Sequence, residues 1–181
     1  MSIPEDPRAS EREADGGLSA RLGPRMFWLG LGVALLVMVL DQVSKWVITA
    51  IVMVPPRSIP VFPSFNLTLV FNPGVSFGQM GWLGPWALSG LAIAISAGLA
   101  FWLRKAETTL LATALGIVIG GAIGNVIDRM RFGAVVDFLD FYIPGTDWPH
   151  WPAFNVADSA IVVGVGLIIL EGLIAERSKN A

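Results

Sequence analysis

Three short blocks, 124–129 (GNVIDR), 136–138 (VDF) and 154–159 (FNVADS), place acidic residues between two long apolar runs. An ionised carboxylate at the centre of a bilayer costs about 2.5–3.5 kcal/mol even on lenient insertion scales. A chain that keeps carboxylates at the ends of apolar runs therefore has a use for them. We expect Asp137 and Asp158 to meet at a membrane surface and to act as a pair.

The composition of the whole chain is typical of a membrane protein. Of its 181 residues, 54% are hydrophobic and 14% are charged, and the mean hydropathy is +0.67. A soluble domain carries about 25% charged residues. The chain has no cysteine, which excludes a disulfide framework, a cysteine nucleophile and a thiolate metal site.

Four apolar runs predict four membrane-spanning helices, over residues 26–51, 82–103, 108–127 and 154–174. We expect one membrane domain over residues 24–176. The polar segment 1–23, with its mixed charges, predicts a disordered cytoplasmic tail, and residues 177–181 a cytoplasmic C-terminal tail.

Glycines recur every four residues in the third run, at Gly116, Gly120 and Gly124. Small residues at this spacing allow a neighbouring helix to approach closely. The pattern therefore predicts packing rather than chemistry.

Residues 52–81 cannot form a regular helix, because prolines interrupt them at positions 55, 56, 60 and 63. From Phe65 to Asn72 the residues alternate with the period of a strand, and residues 72–78 (NPGVSFG) predict a turn. The expected fold is an all-α membrane bundle of four transmembrane helices. A small extracytoplasmic β-sheet between helices 1 and 2 should lie on the membrane surface.

Basic residues indicate the orientation of the chain. Those at positions 8, 12, 21, 25, 104, 105, 177 and 179 fall on one side of a four-span chain, whereas the other side has only Arg57, Arg129 and Arg131. Because positive charge is enriched on the cytoplasmic side, both termini should face the cytoplasm. The sheet and the acidic link should then face outward.

Asp41 and Lys45 lie four residues apart in the first span, so they share one helix face and can neutralise each other. The pair has a structural interpretation and a functional one, in which it orients catalytic or substrate groups. Ser44 precedes Lys45 and raises the possibility of a Ser–Lys hydrolase. Neighbouring helix positions point about 100° apart, which argues against that dyad.

Asn125, Asp128 and Arg129 share one face near the outer end of the third helix. We expect Asp128 to form a structural pair with Arg129 or with another cation. Asp137 lies in an otherwise apolar piece, and Asp158 lies about one turn into the fourth span. Two such carboxyls brought close together cannot both ionise easily, so one keeps its proton while the other acts as a base. The alternative interpretation is that these acids are helix caps and buried polar pairs.

The motif blocks taken together resemble those of lipoprotein signal peptidase, the bacterial type II signal peptidase. The blocks are 41–45 (DQVSK), 71–74 (FNPG), 124–129 (GNVIDR), 136–138 (VDF) and 154–159 (FNVADS). They occur in order from Asp41 to Ser159. One departure is Val75, which stands where that family usually has alanine.

The resemblance implies a four-span aspartic protease of the bacterial inner membrane, with Asp137 and Asp158 as the catalytic dyad. It implies that the substrate is a prolipoprotein with a diacylglyceryl group on its lipobox cysteine, cut just before that cysteine. Membrane lipids are the other expected partners; no nucleic acid, metal or cofactor is expected. The residues that the resemblance assigns to supporting the site or contacting the substrate are Asp41, Lys45, Asn72, Asn125, Arg129 and Asn155.

Three alternatives remain at this stage. A metalloprotease would draw on Asp137, Asp140, Asp147, His150 and Asp158, but the chain has one histidine and no HExxH motif. A serine protease would need a base near a serine, and no GxSxG motif is present. A small proton-coupled transporter would use Asp41, Asp128 and Asp158 as a relay, and its acids should lie near mid-membrane.

Overall fold

The structure, a computed structural model, describes residues 7–74, 84–146 and 150–179, with the backbone alone described for residues 7–24 and 179. Within these ranges four α-helices and three β-strands follow one another in the order helix, strand, strand, helix, helix, strand, helix. The turn predicted over residues 72–78, including Val75, lies partly outside the described residues.

The helices are α1 (Pro7–Val47), α2 (Pro85–Leu103), α3 (Thr109–Phe132) and α4 (Val156–Lys179). A π-helical turn over Ile48–Val52 extends α1. Each of the four helices contains a stretch long and apolar enough to cross a membrane. This agrees with the four predicted spans.

The first helix begins earlier than the sequence predicts. Its backbone is helical from Pro7, within the segment 1–23 that was expected to be a disordered tail. Alanine, glutamate and arginine are common in this segment, and all three favour helix strongly. Low hydrophobicity therefore does not exclude local helix here.

Helix α3 is the centre of the bundle. In its most apolar window 72% of the residues are buried, against 11–17% in the other three helices. It begins at the N-cap Thr108, whose hydroxyl accepts the N–H of Leu111, and ends at Gly133, which has a left-handed φ of 69°. That conformation suits glycine and turns the chain toward the next strand.

The three regularly spaced glycines of α3 face α1. A Cβ atom on Gly120 would lie 2.9 Å from the Cβ of Val37 and would also meet the carbonyl oxygen of Ala34. The predicted packing role of the glycines is thus confirmed. At Gly124 the missing side chain leaves room for the carboxylate of Asp41, so this glycine also allows a polar contact between α1 and α3.

The predicted sheet is present and has three antiparallel strands in the order β1 (Ile59–Phe62), β2 (Phe65–Asn72) and β3 (Val135–Phe141). The third strand comes from the connection between α3 and α4, where the sequence analysis placed no strand. Most residues of β3 are buried on both faces, so its sequence VVDFLDF lacks the alternation that marks a half-exposed strand. Through β3 the sheet carries Asp137 to the end of the bundle where α3 finishes and α4 begins.

Candidate active site

A buried lysine joins α1 to α3 at the end of the bundle where α3 finishes and α4 begins. The ammonium group of Lys45 lies 2.9 Å from Asp41 on α1 and 2.7 Å from Asp128 on α3, and it donates to the side-chain oxygen of Asn125 at 3.0 Å. All three of its N–H donors are used. Asp41, Lys45 and Asp128 are each 3% exposed or less, so each charge depends on its partners.

The two carboxylates of this cluster also hold backbone amides next to the predicted dyad. Asp41 accepts the N–H of Ala157 at 2.9 Å, and Asp128 accepts the N–H of Val136 at 3.0 Å. Ala157 directly precedes Asp158, and Val136 directly precedes Asp137. The ion cluster therefore fixes the backbone on which both acids stand.

Asn155 is the residue that the two predicted acids share. Its side-chain nitrogen donates to Asp137 at 2.7 Å, and its side-chain oxygen accepts the N–H of Asp158 at 2.9 Å. The Asp158 carboxylate in turn accepts the N–H of Asn155 at 3.2 Å. These reciprocal bonds form a capping box at the start of α4, so Asp158 both caps the helix and faces the site.

Asp137 is held from its other side by the end of β2. The side chain of Asn72 donates to Asp137 at 2.9 Å, while its oxygen accepts the N–H of Gly74 at 3.0 Å. Asn72 is thus both a turn residue and a donor to the site. Asp137 is only 2% exposed, whereas Asp158 is partly exposed.

A groove of about 330 Å³ opens beside Asp158. Its polar end consists of Asn125, Arg129 and Asp158, and Asn125 donates to Asp158 at 2.8 Å. Apolar side chains of α2, α3 and α4 form the rest: Leu88, Leu91, Ala92, Ile95, Val118, Ala122 and Ile161. Arg129 reaches only the carbonyl oxygen of Asn125, at 3.4 Å, and its buried Nε has no hydrogen-bond partner among the described residues.

Burial raises the pKa of Asp137 from an ordinary value of 3.8 to about 6. The hydrogen bonds from Asn72 and Asn155 act in the opposite direction, and the negative charge of Asp158 adds to the rise. Desolvation prevails because so little of this carboxyl reaches solvent. Asp137 is therefore suited to keeping a proton at a mildly acidic pH.

All nine residues that the sequence analysis selected for the site lie in this one network, or beside it in the case of Arg129. The cation that pairs with Asp128 is Lys45. The hydroxyl of Ser44 donates to the carbonyl oxygen of Asp41 at 2.7 Å, a bond within its own helix, and not to Lys45. This geometry gives no Ser–Lys dyad.

Of the residues in the metal-site alternative, His150 contacts Asp140 directly, at 2.8 Å, while Asp137 and Asp158 are linked through Asn155. Asp147 lies outside the described residues. In the part of the chain that the structure describes, no group of three or more histidine, aspartate or glutamate side chains is placed to hold a metal ion.

Sequence reasoning missed Gln42, whose amide nitrogen donates to Asp128 at 3.0 Å, to Asp41 at 3.2 Å and to the carbonyl oxygen of Gly124 at 3.1 Å. A glutamine one residue from Asp41 sits on the polar side of an apolar helix, and that was the available signal. The backbone amides that the cluster binds have no sequence signal of their own.

Replacing Lys45 with methionine should strongly destabilise the fold. The change leaves two buried carboxylates without a cation, and breaking a buried pair in this way costs about 3–5 kcal/mol. The measurement is the free energy of unfolding in mixed micelles. Lys105→Met is the control, since Lys105 is exposed and its ammonium group lies over the ring of Phe101, 5.0 Å from the centroid. Equal losses of unfolding free energy in both variants would contradict the prediction that the ion pairs of Lys45 stabilise the fold.

The raised pKa of Asp137 predicts a pH-dependent stability. A carboxyl whose pKa is higher in the folded protein than in the unfolded chain stabilises the fold while it is protonated. That contribution is lost as the pH rises from about 4 through about 6. The unfolding temperature of the wild type should therefore fall relative to that of Asp137→Asn across this window. Glu107→Gln, at an exposed site, should show no such divergence. Parallel curves for wild type and Asp137→Asn would contradict the prediction.

Comparison with known proteins places this chain in a family. The sequence model of signal peptidase II matches residues 33–174. A lipoprotein signal peptidase of Shewanella loihica is 46% identical over 165 residues, covering 87% of this chain and 91% of the relative. One of Caulobacter vibrioides is 42% identical over 163 residues, covering 86% of this chain and 92% of the relative.

A solved structure described as a bacterial membrane enzyme has the same fold, with a TM-score of 0.70 and 33% identity. The match covers 84% of this chain and 91% of that one. The comparisons give no support to the transporter alternative. With its four spans and its family match over most of its length, the chain belongs to the signal peptidase II family of multi-pass membrane proteases.

Proposed function

We propose that the protein is an aspartic endopeptidase that removes the signal peptide from diacylglyceryl-modified prolipoproteins. It cuts the peptide bond just before the lipidated cysteine. The observation that carries this proposal is that the side chain of Asn155 binds both acidic residues. Its nitrogen donates to the carboxylate of Asp137 at 2.7 Å, and its oxygen accepts the backbone N–H of Asp158 at 2.9 Å. The relatives, named as lipoprotein signal peptidases, support the substrate class.

The two acids divide the work between them. The raised pKa of Asp137, about 6, supports Asp137 as the carboxyl that keeps the shared proton. Asp158, partly exposed beside the groove, takes a proton from the attacking water while protonated Asp137 donates a hydrogen bond to the scissile carbonyl. The water oxygen bonds to the carbonyl carbon and gives a tetrahedral intermediate. The leaving nitrogen then receives a proton from the dyad, and the C–N bond breaks to release the amine of the cysteine.

The apolar groove beside Asp158 supports the proposal that the substrate is lipidated. Its walls are apolar along α2, α3 and α4, while its polar end lies at the dyad. Acyl chains and the apolar part of a signal peptide can leave the bilayer for such a groove without losing an apolar environment. Holding them there keeps the scissile bond at the level of the two carboxyls, which lowers the entropic cost of reaction.

Arg129 is placed to contact the substrate. Its Nε is buried at the polar end of the groove and has no hydrogen-bond partner among the described residues. A peptide carbonyl entering the groove would supply the missing acceptor. We assign Arg129 to binding the substrate backbone, while Asp41, Lys45, Asp128 and Asn125 hold the site together.

The protein should lie in the bacterial cytoplasmic membrane with both termini in the cytoplasm and the dyad at the outer face. The distribution of basic residues supports this orientation. Reporter fusions after Lys105 and at the C-terminus should therefore read cytoplasmic, and a fusion at Pro60 should read outside. A cytoplasmic signal at Pro60 would contradict the orientation.

Asparagine at either member of the dyad should nearly abolish cleavage. Asparagine keeps the size of aspartate but neither takes a proton from water nor donates one to the leaving group. Asp137→Asn and Asp158→Asn should each lose almost all turnover per folded molecule. The double variant should be little worse than either, because the two acids act as a unit. The measurement is the cleavage rate of a purified diacylglyceryl-modified prolipoprotein.

Glu171→Gln is the matched control, since Glu171 is an acid on α4 that hydrogen-bonds Thr108 at the other end of the bundle. Its cleavage rate should equal that of the wild type. The same prolipoprotein without the diacylglyceryl group should be cut far more slowly. Substantial turnover by either single variant would overturn the aspartic mechanism, and equal rates on both substrates would overturn the lipid requirement.

A further inference from the structure

Asp140 is a buried carboxylate that the dyad chemistry does not use. It stands on β3 three residues after Asp137, and its side chain is 10% exposed. Asn66 and Thr68 of β2 each donate to it at 3.3 Å, and Nδ1 of His150 lies 2.8 and 3.0 Å from its two oxygens. Asp140 therefore ties together β2, β3 and the segment that leads from the sheet into α4.

His150 begins that segment. From there the chain returns antiparallel along β3: the N–H of Trp151 donates to the carbonyl of Phe141 at 2.8 Å, and that of Phe154 to the carbonyl of Leu139 at 3.1 Å. Asn155, which holds both dyad acids, comes next in the chain. The position of Asn155 against Asp137 thus depends on the register of the return segment on β3.

The backbone bonds that define this register lie at two places: the carbonyl of Phe154 also accepts the N–H groups of Phe138 and Leu139, at 3.0 and 2.8 Å, and the remaining bond is that of Trp151. Among the described residues the return segment forms an isolated bridge with β3, between Leu139 and Phe154, and one further backbone bond at Trp151, but no full strand. A slip of one residue in an extended pair turns every side chain to the opposite face. Such a slip would turn the side chain of Asn155 away from Asp137 and break the bond that joins the two acids. A side-chain contact at the start of the segment, outside the bridge, would prevent it.

We propose that Asp140 and His150 are a pair of positioning residues that fix the register of residues 150–155 on β3, and so the placement of Asp158 relative to Asp137. The proposal rests on the proposed function for its catalytic consequence. The ring of His150 also stacks on Tyr142, with 4.9 Å between centroids, which orients Nδ1 toward the carboxylate. His150 touches neither acid of the dyad, so it acts through Asn155.

The exposure of His150 separates this role from a general contribution to stability. The side chain of His150 is 56% exposed, so water can replace its Nδ1 beside Asp140, and Asn66 and Thr68 still donate to that carboxylate. A misplacement of about 1 Å at a reacting centre, in contrast, lowers a rate by up to about 100-fold. Loss of the pair should therefore lower kcat much more than it lowers the unfolding temperature.

Two substitutions at one position test the proposal. In His150→Asn the amide nitrogen is as many bonds from the backbone as Nδ1 and still donates to Asp140, whereas in His150→Gln it stands one bond further away. We expect His150→Gln to lower kcat by about 10-fold or more at an unchanged KM, and His150→Asn to stay within about 3-fold of the wild type. Asp140→Asn, which loses the charged acceptor, should resemble His150→Gln, and the double variant should be no worse than either.

Amide hydrogen exchange supplies a readout that does not depend on cleavage. Exchange at Trp151 and Phe154 should be faster in His150→Gln than in His150→Asn or the wild type, because a shifting segment opens its bonds to β3. Thr146→Val is the matched control: it removes another side-chain bond of the same connection, from Thr146 to the carbonyl of Ile143. Its exchange pattern and kcat should equal those of the wild type.

Wild-type kcat and exchange in His150→Gln would overturn the proposal. So would equal losses in the asparagine and glutamine variants, which would assign the effect to the imidazole ring. A wild-type protein that leaves the lipidated prolipoprotein intact would count against the proposed function. In that case the exchange measurement still decides whether the pair fixes the register.

Discussion

The ion pairs of Lys45 with Asp41 and Asp128 are the interaction on which the rest of the structure depends. They join α1 to α3 in a setting with almost no water, where an unpaired charge is far more costly than at a surface. Each carboxylate also accepts a backbone amide, from Ala157 or from Val136. One lysine therefore fixes the relative positions of two helices, of the strand β3 and of the start of α4.

The proposed dyad is built on ordinary secondary-structure chemistry. Asp158 and Asn155 form the capping box of α4, and the same asparagine side chain donates to Asp137. The two interpretations of these acids, as helix caps or as catalytic groups, are thus compatible. A carboxylate held by a helix N-terminus is well oriented and leaves part of its surface free to face the groove. The cap that starts the helix also sets the geometry of the site.

The two acids experience different environments because different elements carry them. Asp137 stands on a strand buried on both faces, which removes water from its carboxyl and raises its pKa. Asp158 stands in the first turn of a helix whose side borders an open groove. The asymmetry that the proposed acid–base pair needs thus follows from the meeting of a buried strand with a helix end.

The sequence by itself determined the four spans and the presence of a sheet after the first of them, and it singled out Asp137 and Asp158 as the proposed pair, because apolar run length and isolated charges within such runs are strong local signals. It also paired Asp41 with Lys45 through their helical spacing. Only the tertiary structure decided that Lys45 reaches Asp128, that β3 completes the sheet, and that Asn155 joins Asp137 to Asp158. These contacts link residues far apart in the chain, and several end on backbone amides, which every residue type except proline carries. No local pattern specifies such a partner; the packing of α1 and α4 against α3 does.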